Sequence, residues 1–234
     1  MELKDRYYYF TSALSKKFCN HVMNFALQKK HKKAVVGNKK LENYSKKELK
    51  EVKKNTRDSN ISWLEEPWMF REIRPYLHEA NRLANWNFEF DWIESLQFTK
   101  YSKNQFYNWH TDAFAETYKS SSPTHNNKIR KLSFICQLSN PNKYKGGEVD
   151  FVIPKMDKTK LTFSAYQLKE IIPQGSLVVF PSFLLHRVKP VTKGVRYSLV
   201  SWALGFPFKW KKILYYVKKL LIKKWLCIYM ITYC

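Results

Sequence analysis

Helical spacing and alternation divide the chain before any single residue is weighed. An aromatic-rich start, Tyr7-Tyr8-Tyr9-Phe10, reads as a short strand or packing segment. Ser15 then precedes a helical stretch to about Lys30, with Phe18, Val22 and Phe25 on one side and Cys19, Met23 and Ala26 beside them. Ser45 and Glu48 have capping-box spacing and predict a short, charged helix. Pro67 opens a third helix, in which Trp68, Met69, Ile73, Tyr76, Leu77, Ala80 and Leu83 recur at helical spacing to about Ala84. Pro75 inside it predicts a kink or a split.

From Trp86 onward the period shifts towards two. Leu96 and Phe98 alternate with Gln97, Thr99 and Tyr101, which describes a half-buried strand. Further strands are predicted over 129–139, 147–153, 164–172, 176–181, 185–188 and 195–204, with turn chemistry at Gly146-Gly147 and Pro173-Gln174-Gly175. Many short strands after N-terminal helices make the chain mainly β, a sandwich or barrel with a helical flank. The expected organisation is a helical flank over 1–85, a β core over 86–205 and a basic tail over 206–234.

Composition narrows this picture. With 234 residues, 44% hydrophobic and 17% aromatic, the chain is long and apolar enough for one domain with a substantial core, which excludes a disordered protein. The formal charge of +23 is concentrated at the ends: residues 206–234 hold seven lysines and no acid. Such charge attracts nucleic acid, anionic membrane or acidic protein, but lysine, asparagine and tyrosine are abundant and glycine scarce throughout, and no aromatic-basic nucleic-acid motif accompanies the charge; compositional bias is the favoured reading. No stretch is long and apolar enough to cross a bilayer, although the tail could touch a membrane surface weakly. Cys19, Cys136, Cys227 and Cys234 show no paired spacing, and no signal peptide opens the chain, so a reducing, cytoplasmic setting is expected.

The candidate chemistry lies in Asn108-Trp109-His110-Thr111-Asp112-Ala113, read as a strand end that projects His110 and Asp112 from one face. If His186 converges on them, two histidines and one carboxylate occupy one side of a metal, the arrangement that suits non-haem Fe(II) and leaves positions open. Arg196 follows His186 by ten residues on a predicted adjacent strand, and its planar fork suits a carboxylate. Ser198 shares the strand face of Arg196, as does Trp202, which reads as core wall. The polar stretch 113–128 reads as a long loop beside the site, placed to act as a lid or substrate contact. His21, His31 and His125 read as structural or solvated.

His-x-Asp, a distal His and then Arg, each within a predicted strand, resembles the iron- and 2-oxoglutarate-dependent oxygenases, specifically the prolyl 4-hydroxylase superfamily including the bacterial PKHD-type hydroxylases. The likeness runs from about Arg57 to Gly205 and is most specific at Tyr101 to Asp112, Lys145-Gly146-Gly147-Glu148-Val149, and Pro181 to Trp202. It implies a double-stranded β-helix, a jelly-roll (cupin-like) variant. It implies Fe(II) held by His110, Asp112 and His186, and 2-oxoglutarate as cosubstrate with its distal carboxylate on Arg196 and contacts from Tyr101 and Ser198. It also implies O2 as oxidant, ascorbate as reductant, and a small-molecule or peptidyl substrate hydroxylated with release of succinate and CO2. An Arg-x-Ser segment such as Arg57-Asp58-Ser59 would enter beside the mouth of the site. Two other readings are an AlkB-like nucleic-acid demethylase, against which stands the single Arg196 in Arg-Tyr-Ser, and a metal-binding jelly roll without turnover.

Overall fold

In the computed structural model, described over residues 6–34, 45–114, 116–157 and 160–208, two facing β-sheets are backed by helices on one side. Strands β1 (Tyr8–Phe10), β2 (Lys32–Lys33), β4 (Asn60–Leu64), β5 (Trp92–Ile93), β6 (Leu96–Tyr101), β8 (Ile129–Gln137), β12 (Leu177–Pro181) and β15 (Arg196–Gly205) form the larger sheet. Its order is β1-β12-β8-β15-β6-β4-β2, with β5 pairing on β15. The smaller sheet runs β11 (Lys160–Gln167), β10 (Val149–Asp157), β13 (His186–Val188), β7 (Phe106–His110), β3 (Arg57–Asp58), and a two-stranded ribbon joins β9 (Tyr144–Gly146) to β14 (Val191–Gly194).

Local chemistry sets the helices. Helix α1 (Lys16–Leu27) starts where the Ser15 side chain accepts from the Phe18 N–H at 3.0 Å, and it buries Cys19, Val22 and Ala26. At α2 (Lys46–Asn55) Ser45 and Glu48 cap one another reciprocally, Ser45 N donating to Glu48 Oε2 at 2.7 Å and Glu48 N to Ser45 Oγ at 3.2 Å. Helix α3 (Pro67–Leu83) passes through Pro75 without splitting. Pro75 lies on the exposed face, where water can satisfy the freed carbonyl, while Met69, Ile73, Leu77 and Ala80 hold the opposite face in the core at roughly 1.5–3 kcal/mol for each large side chain.

The helices cover the outer face of the larger sheet, so β6 is buried on both faces rather than half-buried. Leu96 and Phe98 join the core beneath α1 and α3, and Gln97, Thr99 and Tyr101 turn into the space between the sheets. Two other expectations shift. The strand predicted over 164–172 ends at Gln167; Leu168 and Ile171 reach a second apolar cluster, around Phe151 and Phe180, from the connection beyond it, and Ile172 is exposed. The strand carrying His110 ends on that residue, and Asp112 lies in the bend beyond it. Residues before 86 supply strands to both sheets as well as helices. The Lys-rich loop around Gly37 lies outside the described residues, as does the tail from residue 209.

Candidate metal centre

The two histidines are brought together by strand register. In the pairing of β13 with β7, His186 stands opposite His110, and their ring centroids are 4.1 Å apart. Asp112 is turned towards them because its N–H and that of Ala113 both donate to Ser182 O at 2.9 Å, which clamps the bend onto the segment leading to His186. The result is His110 Nε2 at 3.7 Å from Asp112 Oδ1 and His186 Nε2 at 3.6 Å from Asp112 Oδ2, with one ligand atom of each residue within 4.8 Å of the others. Two imidazole nitrogens and a carboxylate this close together, facing one cavity, are a set that would hold a divalent cation and leave its other positions open.

The donor set is prepared for a cation. His110 Nδ1 is 2.7 Å from Asn108 O and His186 Nδ1 is 2.9 Å from Leu184 O; each Nδ1–H is thus a donor, and each Nε2 presents its lone pair to the centre. Asp112 is buried, and its Oδ2 has no hydrogen-bond partner. A buried carboxylate oxygen left bare is costly unless a ligand takes it. Burial, reinforced by His186, pushes the His110 pKa down to about 3, with Asp112 opposing. Burial alone would raise the Asp112 carboxyl, but His186, His110 and Arg130 together hold it below the usual range. Neutral imidazoles and an ionised carboxylate are the states that bind metal.

A cavity of about 360 Å³ opens over the three residues, lined by Arg57, Trp63, Gln97, Tyr101, Phe114, Arg130 and Trp202 among others. The Tyr107 ring stacks on His110 with centroids 3.4 Å apart, and the Arg57 guanidinium lies 4.4 Å over Tyr107 while its Nε donates to Ser59 Oγ at 3.0 Å. The Arg-x-Ser segment is therefore beside the mouth. Trp202 is a wall of the cavity, and the Arg130 guanidinium covers its ring at 3.6 Å. The loop 113–128 contributes Phe114 and Tyr118, the latter donating to Glu94 Oε1 at 3.0 Å. Burial opposes the Arg130 charge, yet Glu94, with Oε2 2.6 Å from Arg130 Nε, overrides it.

Arg196 sits one layer behind. It is 2% exposed, pairs in register with Tyr101, and lies 5.7 Å over the Tyr101 ring. Its Nη1 donates to Ser198 Oγ at 3.4 Å, and no carboxylate pairs with it among the described residues. The side chain lines an adjoining cavity of about 300 Å³ with Gln137, Tyr144, Gly147 and Val149. Gly147 makes room for it: at φ +69°, a Cβ there would stand 2.8 Å from Arg196 Cδ. Hence His110, Asp112 and His186 converge, Tyr101 joins their cavity, and Arg196 and Ser198 back onto it. His21 packs at a tilt against Trp68, His31 lies against Phe98, and His125 bonds Thr124; none belongs to the centre. Three further residues at or beside the centre, Tyr107, Glu94 and Arg130, stand outside every sequence motif. Tyr107 adjoins the motif and its aromatic ring was the only signal; Glu94 and Arg130 are 36 residues apart and nothing local couples them.

Residues 96–204, which contain the whole centre, match the 2OG-Fe(II) oxygenase superfamily. The chain is 34% identical over 110 residues to a PKHD-type hydroxylase of Synechococcus sp. (strain JA-2-3B'a(2-13)), a match that takes in 47% of this chain and 42% of the relative. To the PKHD-type hydroxylase YbiX of Escherichia coli O6:K15:H31 it is 33% identical over 105 residues, 45% and 40% of the two chains. The chain thus spans about two fifths of the length of the curated relatives it matches. Among solved structures, the viral collagen prolyl hydroxylase vCPH of Paramecium Bursaria Chlorella virus-1 in its 2OG complex superposes with a TM-score of 0.55 at 18% identity, covering 86% of this chain and 97% of that one. A Pseudomonas putida prolyl-4-hydroxylase does so with 0.55 at 19%, covering 85% and 92%. In its fold the chain is similar to prolyl hydroxylases, and over residues 96–204 in sequence it is similar to the 2OG-Fe(II) oxygenase superfamily and to hydroxylases of the PKHD type.

Proposed function

We propose that this chain is an Fe(II)- and 2-oxoglutarate-dependent dioxygenase that hydroxylates an amino-acid residue or small molecule and releases succinate and CO2. The observation that carries the reading is the pairing of two incomplete sites: a three-ligand centre with a bare carboxylate oxygen, and, one layer behind it, a buried guanidinium that pairs with no carboxylate among the described residues. His110, Asp112 and His186 would hold the iron, which supplies oxidation of an inert C–H bond by O2. Arg196, fixed by Ser198 and accommodated by Gly147, would take the distal carboxylate of 2-oxoglutarate as a bidentate partner. Tyr101, its register partner and part of the wall of the metal cavity, would contact the cosubstrate between the two charges.

The remaining residues of the cavity position the substrate and exclude water. Arg57, Trp63, Trp202 and the Phe114–Tyr118 loop enclose the mouth. A prolyl residue is the substrate favoured by the solved neighbours, one of which is a prolyl hydroxylase from Trichoplax adhaerens in complex with a hypoxia inducible factor peptide fragment. We further propose that the two-sheet arrangement is a double-stranded β-helix, supported by ligands from the smaller sheet facing Tyr101 and Arg196 of the larger. The buried free thiols Cys19 and Cys136 favour a reducing, cytoplasmic setting, with ascorbate a suitable reductant there. No helix among the described residues is long and apolar enough to cross a membrane.

The test is an anaerobic titration of the apo-protein with Fe(II) and then 2-oxoglutarate. A weak visible charge-transfer band that requires both additions and vanishes in His110→Ala is expected. Bound iron with no band means that 2-oxoglutarate does not chelate it, and a binding role replaces the oxygenase.

A further inference from the structure

The aromatic start of the chain has no part in the site, yet one of its rings is tied to a metal ligand. Phe151 lies 6.1 Å from the His186 ring and 4.8 Å from Phe180, which is itself 4.8 Å from His186. The Tyr7 ring is 5.3 Å from Phe151 on the other side, and from Tyr7 two surface rings are reached, Tyr166 at 6.2 Å and Tyr9 at 6.3 Å (centroids throughout). Tyr8 turns instead to Phe10 and the helical core. Tyr7, the residue before β1, is therefore the tyrosine of this segment whose ring touches the ring packed on His186.

A phenol oxidised at neutral pH must also lose its proton, and here an acceptor is built in. Tyr166 OH donates to Glu170 Oε1 at 2.9 Å, and Glu170 Oε2 is buried without a hydrogen-bond partner. The tyrosine nearest the centre is unsuited to this role. Tyr107 is stacked on His110, but a guanidinium lies over its ring. A cation beside a phenol disfavours withdrawal of an electron, and no carboxylate accepts from Tyr107 among the described residues.

We propose that Tyr7 and Tyr166 form a protective electron route from the His186 side of the centre to the surface, resting on the function proposed above. An iron centre loaded with 2-oxoglutarate and exposed to O2 without substrate would supply two oxidising equivalents with no C–H bond to take them. Tyr7 and Tyr166 each give up one electron and one proton, the Tyr166 proton passing to Glu170 and that of the half-buried Tyr7 to solvent. Those two electrons and two protons would meet the two equivalents, the oxygen not spent on substrate ending as water. The two tyrosyl radicals are then quenched at the half-exposed Tyr166 and Tyr9 by an external one-electron donor of the ascorbate class, which loses two electrons and two protons in total. The route spares Phe151, Phe180 and the ligand histidines from oxidation.

The test uses the full chain loaded with Fe(II) and 2-oxoglutarate, exposed to O2 without substrate and frozen for electron paramagnetic resonance. Succinate is measured in the same sample, and oxidised residues by mass spectrometry. The wild type is expected to give a tyrosyl signal, Tyr7→Phe to lose it and to accumulate oxidised Phe151 and His186 several-fold faster, and Tyr166→Phe to lose the component coupled to Glu170. Both variants keep the ring and its packing, and each is checked by thermal denaturation. Succinate without a tyrosyl signal, or a signal unchanged in both variants, overturns the route alone. Iron bound but no succinate overturns the oxygenase reading and the route with it.

Discussion

His110 and His186 stand opposite one another in the register of two antiparallel strands, and each anchors its Nδ1 on the carbonyl two residues before it in sequence. The two imidazoles are therefore fixed by the same ladder that builds the sheet, whereas Asp112 is placed by the clamp of its bend on Ser182. Stability and metal affinity separate at that third position.

Asp112→Asn should show the separation. Asparagine keeps the shape but removes a buried charge, so the apo-protein is expected to melt at the same or a higher temperature. Iron content after loading should fall to background, as measured by elemental analysis. Retained iron would contradict the ligand assignment.

Arg196 offers a second separation. Arg196→Met removes a buried cation that pairs with no carboxylate among the described residues, and the apo-protein should lose no stability or gain about 1–4 kcal/mol in denaturant titration. Binding of 2-oxoglutarate should disappear in the same variant. Arg196→Lys, with a point charge in place of the fork, should raise the 2-oxoglutarate requirement on the order of tenfold, equivalent to about 1.4 kcal/mol. An unchanged requirement rejects the clamp.

Gly147→Ala should act on Arg196 without touching ligand or cosubstrate. A methyl group 2.8 Å from Arg196 Cδ must displace the guanidinium stem, and φ of +69° costs a further ~1–2 kcal/mol for alanine. We expect a lower melting temperature and weaker 2-oxoglutarate binding at unchanged iron stoichiometry. Calorimetric titration with each ligand distinguishes the two.

His31 should make stability depend on pH. Both ring nitrogens are buried without partners, and burial, aided by Lys100, lowers its pKa below the ordinary histidine value. The unfolded chain then binds the proton more readily, so this contribution is complete above pH ~6.5 and is lost as pH falls below it. The unfolding free energy of His31→Phe, followed from pH 7.5 down to 5, should decline less steeply than that of the wild type. Parallel curves would place the cost elsewhere.

The sequence made the metal ligands legible because each sits within a local pattern: His110 and Asp112 two apart, His186 after an apolar strand and a proline. Helix starts were legible for the same reason, since Ser15 and the Ser45–Glu48 pair act within one turn. Features that depend on what packs against them were not. Alternation in β6 reads as one wet face, but its polar residues face the cavity and its apolar ones the helices, so neither face meets solvent. Pro75 predicts a break only if its face must be buried. The Glu94–Arg130 pair and the second cavity behind Tyr101 arise from long-range closure and have no local signature.

β15, late in the chain, lies between β8 and β6 and also pairs with β5. On the ribosome, β6 and β8 emerge early and must wait, each with an open ladder and apolar side chains, until the segment bearing Arg196 is made. Such a wait invites pairing with the wrong neighbour. The strand that would grip the cosubstrate is thus also the keystone of assembly, and in the cell a break in its backbone ladder would be felt as lost protein.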